Sequence, residues 1–209
     1  MERFLHSLAV LALACLMMTG CVSFLARPDS SRFFTLTPLA ETDAAARNSS
    51  ATQQLFLGIG PVKFPAYLDR DELVTRITQN RFEISETDRW IEPLEENFTR
   101  VLAQNLSVLL RSDRIAWYPW QNSQRPSYQV EIEVLRFEPN AAQDVQLSAR
   151  WAVIDSSNKQ LLSVKESRVI RQTKAKSSEA SVAALSEALG DFSREIADAV
   201  QAVAGQRKP

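Results

Sequence analysis

The residue with the clearest capacity for covalent chemistry is Cys21, whose thiol follows an uncharged apolar run close to the start of the chain. Residues 8–18 carry no charged side chain, Arg3 precedes them, and Thr19 and Gly20 lead directly into the cysteine. A membrane span needs about 20 apolar residues, so this shorter run is typical of a secretory signal peptide. We therefore expect residues 1–20 to be removed.

The stretch Met18-Thr19-Gly20-Cys21 resembles the lipobox of bacterial lipoproteins. The resemblance implies that the Cys21 thiol is diacylated, that the chain is cut before it, and that the new α-amine receives a further acyl chain such as palmitate. Val22, in place of aspartate, implies outer-membrane localisation by comparison with lipoproteins of Gram-negative bacteria. The alternative is an ordinary signal peptide with an incidental cysteine.

Residues 21–31 form a predicted tether between the acylated cysteine and the folded domain. Ten extended residues reach at most about 35 Å. The domain is therefore expected to stay close to the membrane that holds Cys21, and a partner in the opposite membrane must reach out to it.

Histidine and cysteine, which supply many nucleophilic and metal-binding sites, are absent after residue 21. His6 is the only histidine and Cys15 the only other cysteine, and both lie in the signal peptide. This excludes Ser-His and Cys-His nucleophiles, zinc sites built on Cys or His, and disulfides. Gly58-Ile59-Gly60 continues into Pro61 within an apolar run, which predicts a strand with close backbone contacts rather than a phosphate-binding loop.

The charge is nearly balanced, with 24 Lys and Arg against 25 Asp and Glu. A dedicated nucleic-acid-binding protein usually has an excess of basic side chains on one face. We therefore expect no nucleic-acid partner.

Carboxylates are the remaining candidates for catalysis, and Glu92, Glu95 and Glu96 lie close together after Trp90. A glycosidase needs two carboxyl groups across a cleft, with environments that separate their pKa values. The alternative is that Glu95 and Glu96 stabilise the first turn of a helix. We expect no enzyme activity, no cofactor and no metal site.

Residue periodicity predicts an α+β fold in a single domain over residues 32–204, followed by a tail over 205–209. Spacing of 3 or 4 between apolar residues predicts two helices, one from about Pro93 and one from about Ser178. Alternation and turn residues predict eight strands, near residues 32–38, 54–62, 72–78, 81–85, 114–118, 128–134, 145–153 and 161–171. We expect a mostly antiparallel sheet with both helices on one face, and a mobile loop over residues 39–52.

Three stretches, RFFTLTP at 32–38, GIGPVKFPAYLDR at 58–70 and the run from Asn80 to Phe98, resemble the ABC-type transport auxiliary lipoproteins. The similarity is strongest to the PqiC-like (paraquat-inducible protein C-like) branch. It implies an outer-membrane lipoprotein facing the periplasm. Such a protein would work with an inner-membrane-anchored MCE-domain (mammalian cell entry) protein to move lipids between the membranes and maintain envelope integrity. The family offers no catalytic residues.

The predicted partner surface combines a proline-containing turn with the approach to the first helix, because aromatic and arginine side chains make good interface anchors. Core packing is the alternative for the aromatic members, Trp90 above all. Binding to an oligomeric MCE ring would favour self-association of this protein. The predicted surface comprises Phe64, Pro65, Tyr67, Leu68, Arg70, Arg89 and Trp90.

Two other functions compete with this interpretation. A structural lipoprotein that links the outer membrane to peptidoglycan would sediment with cell-wall sacculi and need no ABC or MCE partner. A carboxylate hydrolase would lose activity when Glu92, Glu95 or Glu96 is replaced.

Overall fold

The computed structural model describes residues 30–40, 55–120 and 125–206. The chain divides into two compact units, Met1–Ser31 and Arg32–Pro209. The predicted signal peptide, Met18 to Cys21, nearly all of the tether and most of the 39–52 loop lie outside the described residues. The second unit contains all the secondary structure described below.

Eight strands and two helices form the described part of the second unit, in the order strand-strand-strand-strand-helix, repeated once. The strands are β1 (Arg32–Phe34), β2 (Leu57–Lys63), β3 (Glu72–Arg76), β4 (Phe82–Trp90), β5 (Ile115–Trp117), β6 (Tyr128–Pro139), β7 (Asp144–Asp155) and β8 (Gln160–Gln172). The helices are α1 (Leu94–Leu110) and α2 (Ser178–Gln206), and a short 3-10 turn spans Ala66–Leu68. This order agrees with the sequence prediction, and α2 includes two residues that the prediction placed in the tail.

The α+β class and the single folded domain are confirmed, but the strands form two mixed sheets instead of one. A three-stranded sheet has the order β1-β4-β3, with β1 parallel and β3 antiparallel to β4. A five-stranded sheet has the order β5-β2-β6-β7-β8. Short turns make β6, β7 and β8 antiparallel, whereas the long excursion through α1 lets β2 pair in parallel with β5 and β6.

Both helices cover one face of the five-stranded sheet, as predicted. Helix α1 contacts β2 and β5, α2 contacts β6, β7 and β8, and the helices contact each other. At the centre of the core, Phe98 of α1 is fully buried. Its ring lies edge-on to Phe64 at 5.2 Å and to Phe137 at 5.3 Å.

The segment after β1 is held by helix side chains and not by a neighbouring strand. The backbone N–H of Leu36 donates to Oδ1 of the buried Asn97 at 3.1 Å, and that of Leu39 donates to Oδ1 of the buried Asn105 at 2.8 Å. The N–H of Thr37 donates to Oγ of Ser186 in α2 at 3.1 Å. Because helix side chains accept from these backbone N–H groups, the groups do not pair with a neighbouring strand. Strand β1 therefore ends at Phe34, whereas the sequence predicted a strand as far as residue 38.

The start of β1 is fixed by an ion pair. Arg32 donates from Nε and Nη2 to the two carboxylate oxygens of Asp88, each at 2.8 Å, and Ser178 at the start of α2 donates to the same carboxylate. These hydrogen bonds, the Arg32 pair above all, hold the pKa of Asp88 below its ordinary value. Asp88 of β4 thus ties the first residue of the second unit to the start of α2.

We expect Asp88→Asn to lower the free energy of unfolding at pH 7 by about 1 to 3 kcal/mol, near the lower figure because water screens the half-exposed Arg32. A depressed pKa stabilises the fold above the unfolded-state pKa, and that stabilisation is lost as the pH falls through the folded-state pKa. Urea unfolding from pH 7 down to about pH 2 should therefore show the variant and wild type converging. The exposed Asp113→Asn is the control, and a gap that stays constant with pH would contradict the assignment.

Candidate functional site

The surface around the first turn of α1 brings together the turn after β2, the end of β4 and the end of β5. The turn begins at Pro65, which precedes the 3-10 turn Ala66–Leu68 in an extended conformation. Pro93 plays the same part for α1, where its fixed φ suits the start of a helix. Two proline-defined turns thus position this surface.

Of the seven residues of the predicted partner surface, the apolar ones lie mainly in the core. Leu68 is 3% exposed and Trp90 is 6% exposed, and the half-buried Phe64 packs edge-on to Phe98. Packing therefore accounts for Trp90, as the alternative interpretation anticipated. Pro65 remains partly exposed at the beginning of the turn.

Tyr67 is half-buried, and its hydroxyl is already used within the protein. The hydroxyl donates to Oε2 of Glu138 at 2.9 Å and accepts from Nη2 of Arg76 at 3.3 Å. Burial and the Glu138 carboxylate raise the pKa of Tyr67 to about 12. Only the ring of Tyr67 is left to contact a partner.

Arg70 and Arg89 are the members of the predicted surface with unused hydrogen-bonding capacity. Both are half-buried, and the Nε of each is buried without a hydrogen-bond partner among the residues that the structure describes. Arg89 lies opposite Glu72 in the β3–β4 ladder, so both arginines occupy the same end of the three-stranded sheet. A buried donor without a partner is costly, and an incoming acceptor would remove that cost.

A groove beside the predicted surface is formed by α1, the residues before it, and the end of β5. It encloses about 380 Å³. One wall is polar and comes from the helix side, and the other is aromatic and comes from the strand side. The lining residues are Glu92, Glu95, Glu96, Thr99, Arg100, Trp117, Tyr118 and Pro119. The aromatic wall was not predicted, although the run IAWYPW at residues 115–120, in which a short strand ends at a proline, was a usable signal.

Close packing against β2 sets the position of Tyr118. Its backbone N–H donates to the carbonyl of Ile59 at 2.8 Å. Gly60 has a φ of +108°, and a Cβ there would lie 2.9 Å from the Cβ of Tyr118. A Cβ at Gly58 would lie 2.7 Å from Cγ of Pro126. Gly58-Ile59-Gly60 thus lies in a strand, as predicted, but the closest neighbours of the two glycines are side-chain atoms and not another backbone.

The carboxylates of the groove differ in their partners. Glu92 accepts from Nδ2 of Asn97 at 2.5 Å and from Nη2 of Arg100. Glu95 and Glu96 form no side-chain hydrogen bond or ion pair with any residue in the described part of the chain. Burial, followed by the nearby charges of Asp69 and Glu96, raises the pKa of Glu95. The groove thus holds negative charge that the fold does not neutralise.

This arrangement favours binding over catalysis. Glycosidases place two carboxyl groups on opposite sides of the bond that is cut, whereas the carboxylates here all lie on the helix side of the groove. Trp117, Tyr118 and Pro119 form the other side. Within the described ranges, no group of three or more His, Cys, Asp or Glu side chains is arranged to hold a metal ion.

Comparison with known proteins identifies relatives by sequence and by fold. A family model described as "ABC-type transport auxiliary lipoprotein component" matches residues 34–197. A crystal structure of a protein from Xanthomonas campestris, described under DUF330, has a TM-score of 0.67 and 16% identity, covering 84% of this chain and 98% of that one. An uncharacterised protein has a TM-score of 0.66 and 18% identity, covering 81% and 98%. At these identities, the structures indicate a shared fold.

No curated protein matches this sequence significantly. Neither α1 nor α2, the helices of the described ranges, is long and apolar enough to cross a membrane.

Proposed function

The chain belongs to the ABC-type transport auxiliary lipoprotein family, and from that membership we propose that it is the outer-membrane subunit of an MCE-type lipid transport system. The observation that carries the proposal is the family match, which extends from the end of β1 into α2 and so covers nearly all of the folded domain. In this role the protein docks an inner-membrane-anchored MCE protein and supports envelope integrity. Self-association would suit docking to an oligomeric MCE ring.

The anchor of the proposed subunit is an acylated Cys21. Each buried CH₂ contributes about 0.8 kcal/mol to membrane binding, and stable anchoring needs more than one acyl chain. The ion pair of Arg32 with Asp88 begins eleven residues after Cys21 and defines where the tether joins the domain. A tether of this length keeps the domain beside the outer membrane, so the MCE protein supplies the span across the periplasm.

The docking surface in this proposal is the turn after β2 together with the arginines at the end of the three-stranded sheet. Its polar anchors are Arg70 and Arg89, because the Nε of each is a buried donor without a partner among the described residues. The aromatic residues Phe64, Tyr67 and Trp90 support this surface by packing in or against the core below it. The groove at the start of α1 shares this surface, since Glu95 lines both the groove and the shallow pocket beside Leu68.

Crosslinking in intact cells, followed by affinity purification and mass spectrometry, tests the proposed function. The wild-type protein should recover an MCE-domain protein, and Cys21→Ala should recover much less of it because the variant cannot reach the outer membrane. Recovery of peptidoglycan fragments without any MCE protein would contradict the proposal in favour of a structural link to the cell wall.

A further inference from the structure

The aromatic wall of the groove is exposed in a way that packing does not explain. Trp117 is 56% exposed and Tyr118 is 54% exposed. Tyr118 is nevertheless held in place, by its backbone hydrogen bond to Ile59 and by an edge-on contact with Trp120 at 5.5 Å. Large aromatic rings that are both fixed and exposed are common at binding sites.

The facing wall supplies negative charge within the same groove. Glu92 is neutralised by Arg100, but Glu95 and Glu96 have no ion-pair partner among the described residues. Helix α1 tolerates them because its N-terminus favours negative charge. The helix N-terminus accounts for the two glutamates but does not explain why Trp117 and Tyr118 line the other side of the groove.

We propose that this groove binds an arginine or lysine side chain carried by an extended segment of a partner protein. A cation within about 6 Å of a ring centroid is attracted to the face of Trp or Tyr. The same cation can donate charge-assisted hydrogen bonds to the carboxylates of Glu95 and Glu96. The inference deepens the proposed function, on which it rests, by naming the chemistry of the docking segment.

The neighbouring surface favours a protein segment over a lipid. A second pocket, lined in part by Phe64, Leu68 and Pro93, shares Glu95 with the groove. It offers apolar contacts to the neighbouring side chain of the bound segment. A phospholipid would bring a phosphate towards the carboxylates Glu95 and Glu96, which carry the same sign of charge and would repel it.

The test uses residues 21–209 with Cys21→Ala, ¹⁵N-labelled on the tryptophan indoles, and two probes. Acetyl-Arg-Arg-amide should shift the Trp117 indole resonance saturably, whereas its citrulline analogue, which has the same shape without charge, should not. Glu95→Gln combined with Glu96→Gln should weaken binding about tenfold, because both carboxylates that accept from the bound cation lose their charge. The matched control, Glu83→Gln with Glu86→Gln, removes two exposed charges from β4 and should change affinity less than twofold.

The inference would be overturned by an equal response to the citrulline analogue, by equal weakening in the β4 control pair, or by a Trp117 shift that phosphoethanolamine produces and the arginine probe does not. The last result would indicate a lipid headgroup. Failure of the arginine probe, with an MCE protein still recovered by crosslinking in cells, would reject this inference alone and leave the proposed function standing.

Discussion

Glu138→Ala is expected to lower the free energy of unfolding by about 3 to 5 kcal/mol, the usual cost of leaving buried charges without their partner. The Glu138 side chain has no solvent exposure. Its Oε1 accepts from Nε of Arg76 at 2.7 Å and from Nε of Arg136 at 3.0 Å. Its Oε2 accepts from the Tyr67 hydroxyl at 2.9 Å and from the Phe137 N–H at 2.8 Å.

These contacts make Glu138 the polar link between the two sheets, because Arg76 belongs to β3 of the small sheet and Glu138 to β6 of the large one. Removing the carboxylate takes away the acceptor of the Arg76 and Arg136 guanidinium groups and of the Tyr67 hydroxyl. Urea unfolding followed by circular dichroism measures the effect. Glu166→Ala is the matched control, since Glu166 forms an exposed pair with Arg150 at 3.1 Å and should cost less than about 1 kcal/mol. Similar losses for both variants would contradict the central role of Glu138.

Cys21→Ala is expected to abolish acylation and outer-membrane anchoring completely, because alanine has no thiol to carry a lipid. If diacylation precedes cleavage, as the lipobox resemblance implies, the variant also keeps residues 1–20. Labelled palmitate, an intact-mass measurement and a sucrose gradient of the membranes give three independent readouts. Wild type should begin at a modified Cys21 and sediment with the outer membrane.

Cys15→Ala provides the matched control, since it replaces the only other cysteine of the chain. This variant should be labelled, cut and localised like wild type. Palmitate incorporation that survives Cys21→Ala, or that disappears in Cys15→Ala, would contradict the assignment of the anchor.

The strands and helices could be predicted because their burial follows local periodicity. In β6, Val130, Ile132 and Val134 are buried while Glu131 and Glu133 are exposed, as the alternation of apolar and polar residues indicates. The same holds for α1, where the predicted apolar face is the buried face. Such patterns depend on neighbours a few residues away.

Pairing between distant strands could not be predicted in the same way. The parallel pairing of β2 with β6 and with β5, and the separation of β1, β3 and β4 into a second sheet, depend on contacts far apart in sequence. No local pattern specifies which strand becomes the neighbour of another. A single sheet was therefore predicted, whereas the described strands form two.

Aromatic residues of the candidate site illustrate the same limit. Phe64 begins the predicted turn and suggested a surface, yet it is partly buried and packs against the core. Trp90, for which core packing was the favoured alternative, is buried in the core. Trp117 and Tyr118 carried no prediction beyond a strand over residues 114–118. They are exposed where the three-residue β5 ends at the edge of its sheet. Whether an aromatic residue is buried depends on the position of its strand in the sheet.

The most direct test of the proposed docking role is binding between purified components. The acylated protein would be placed in nanodiscs of outer-membrane phospholipids, and the periplasmic part of the MCE protein titrated onto it by biolayer interferometry. Saturable binding, absent from empty nanodiscs, is the result we predict. Absence of MCE binding by protein that is correctly acylated and folded, together with binding to purified sacculi, would contradict the account.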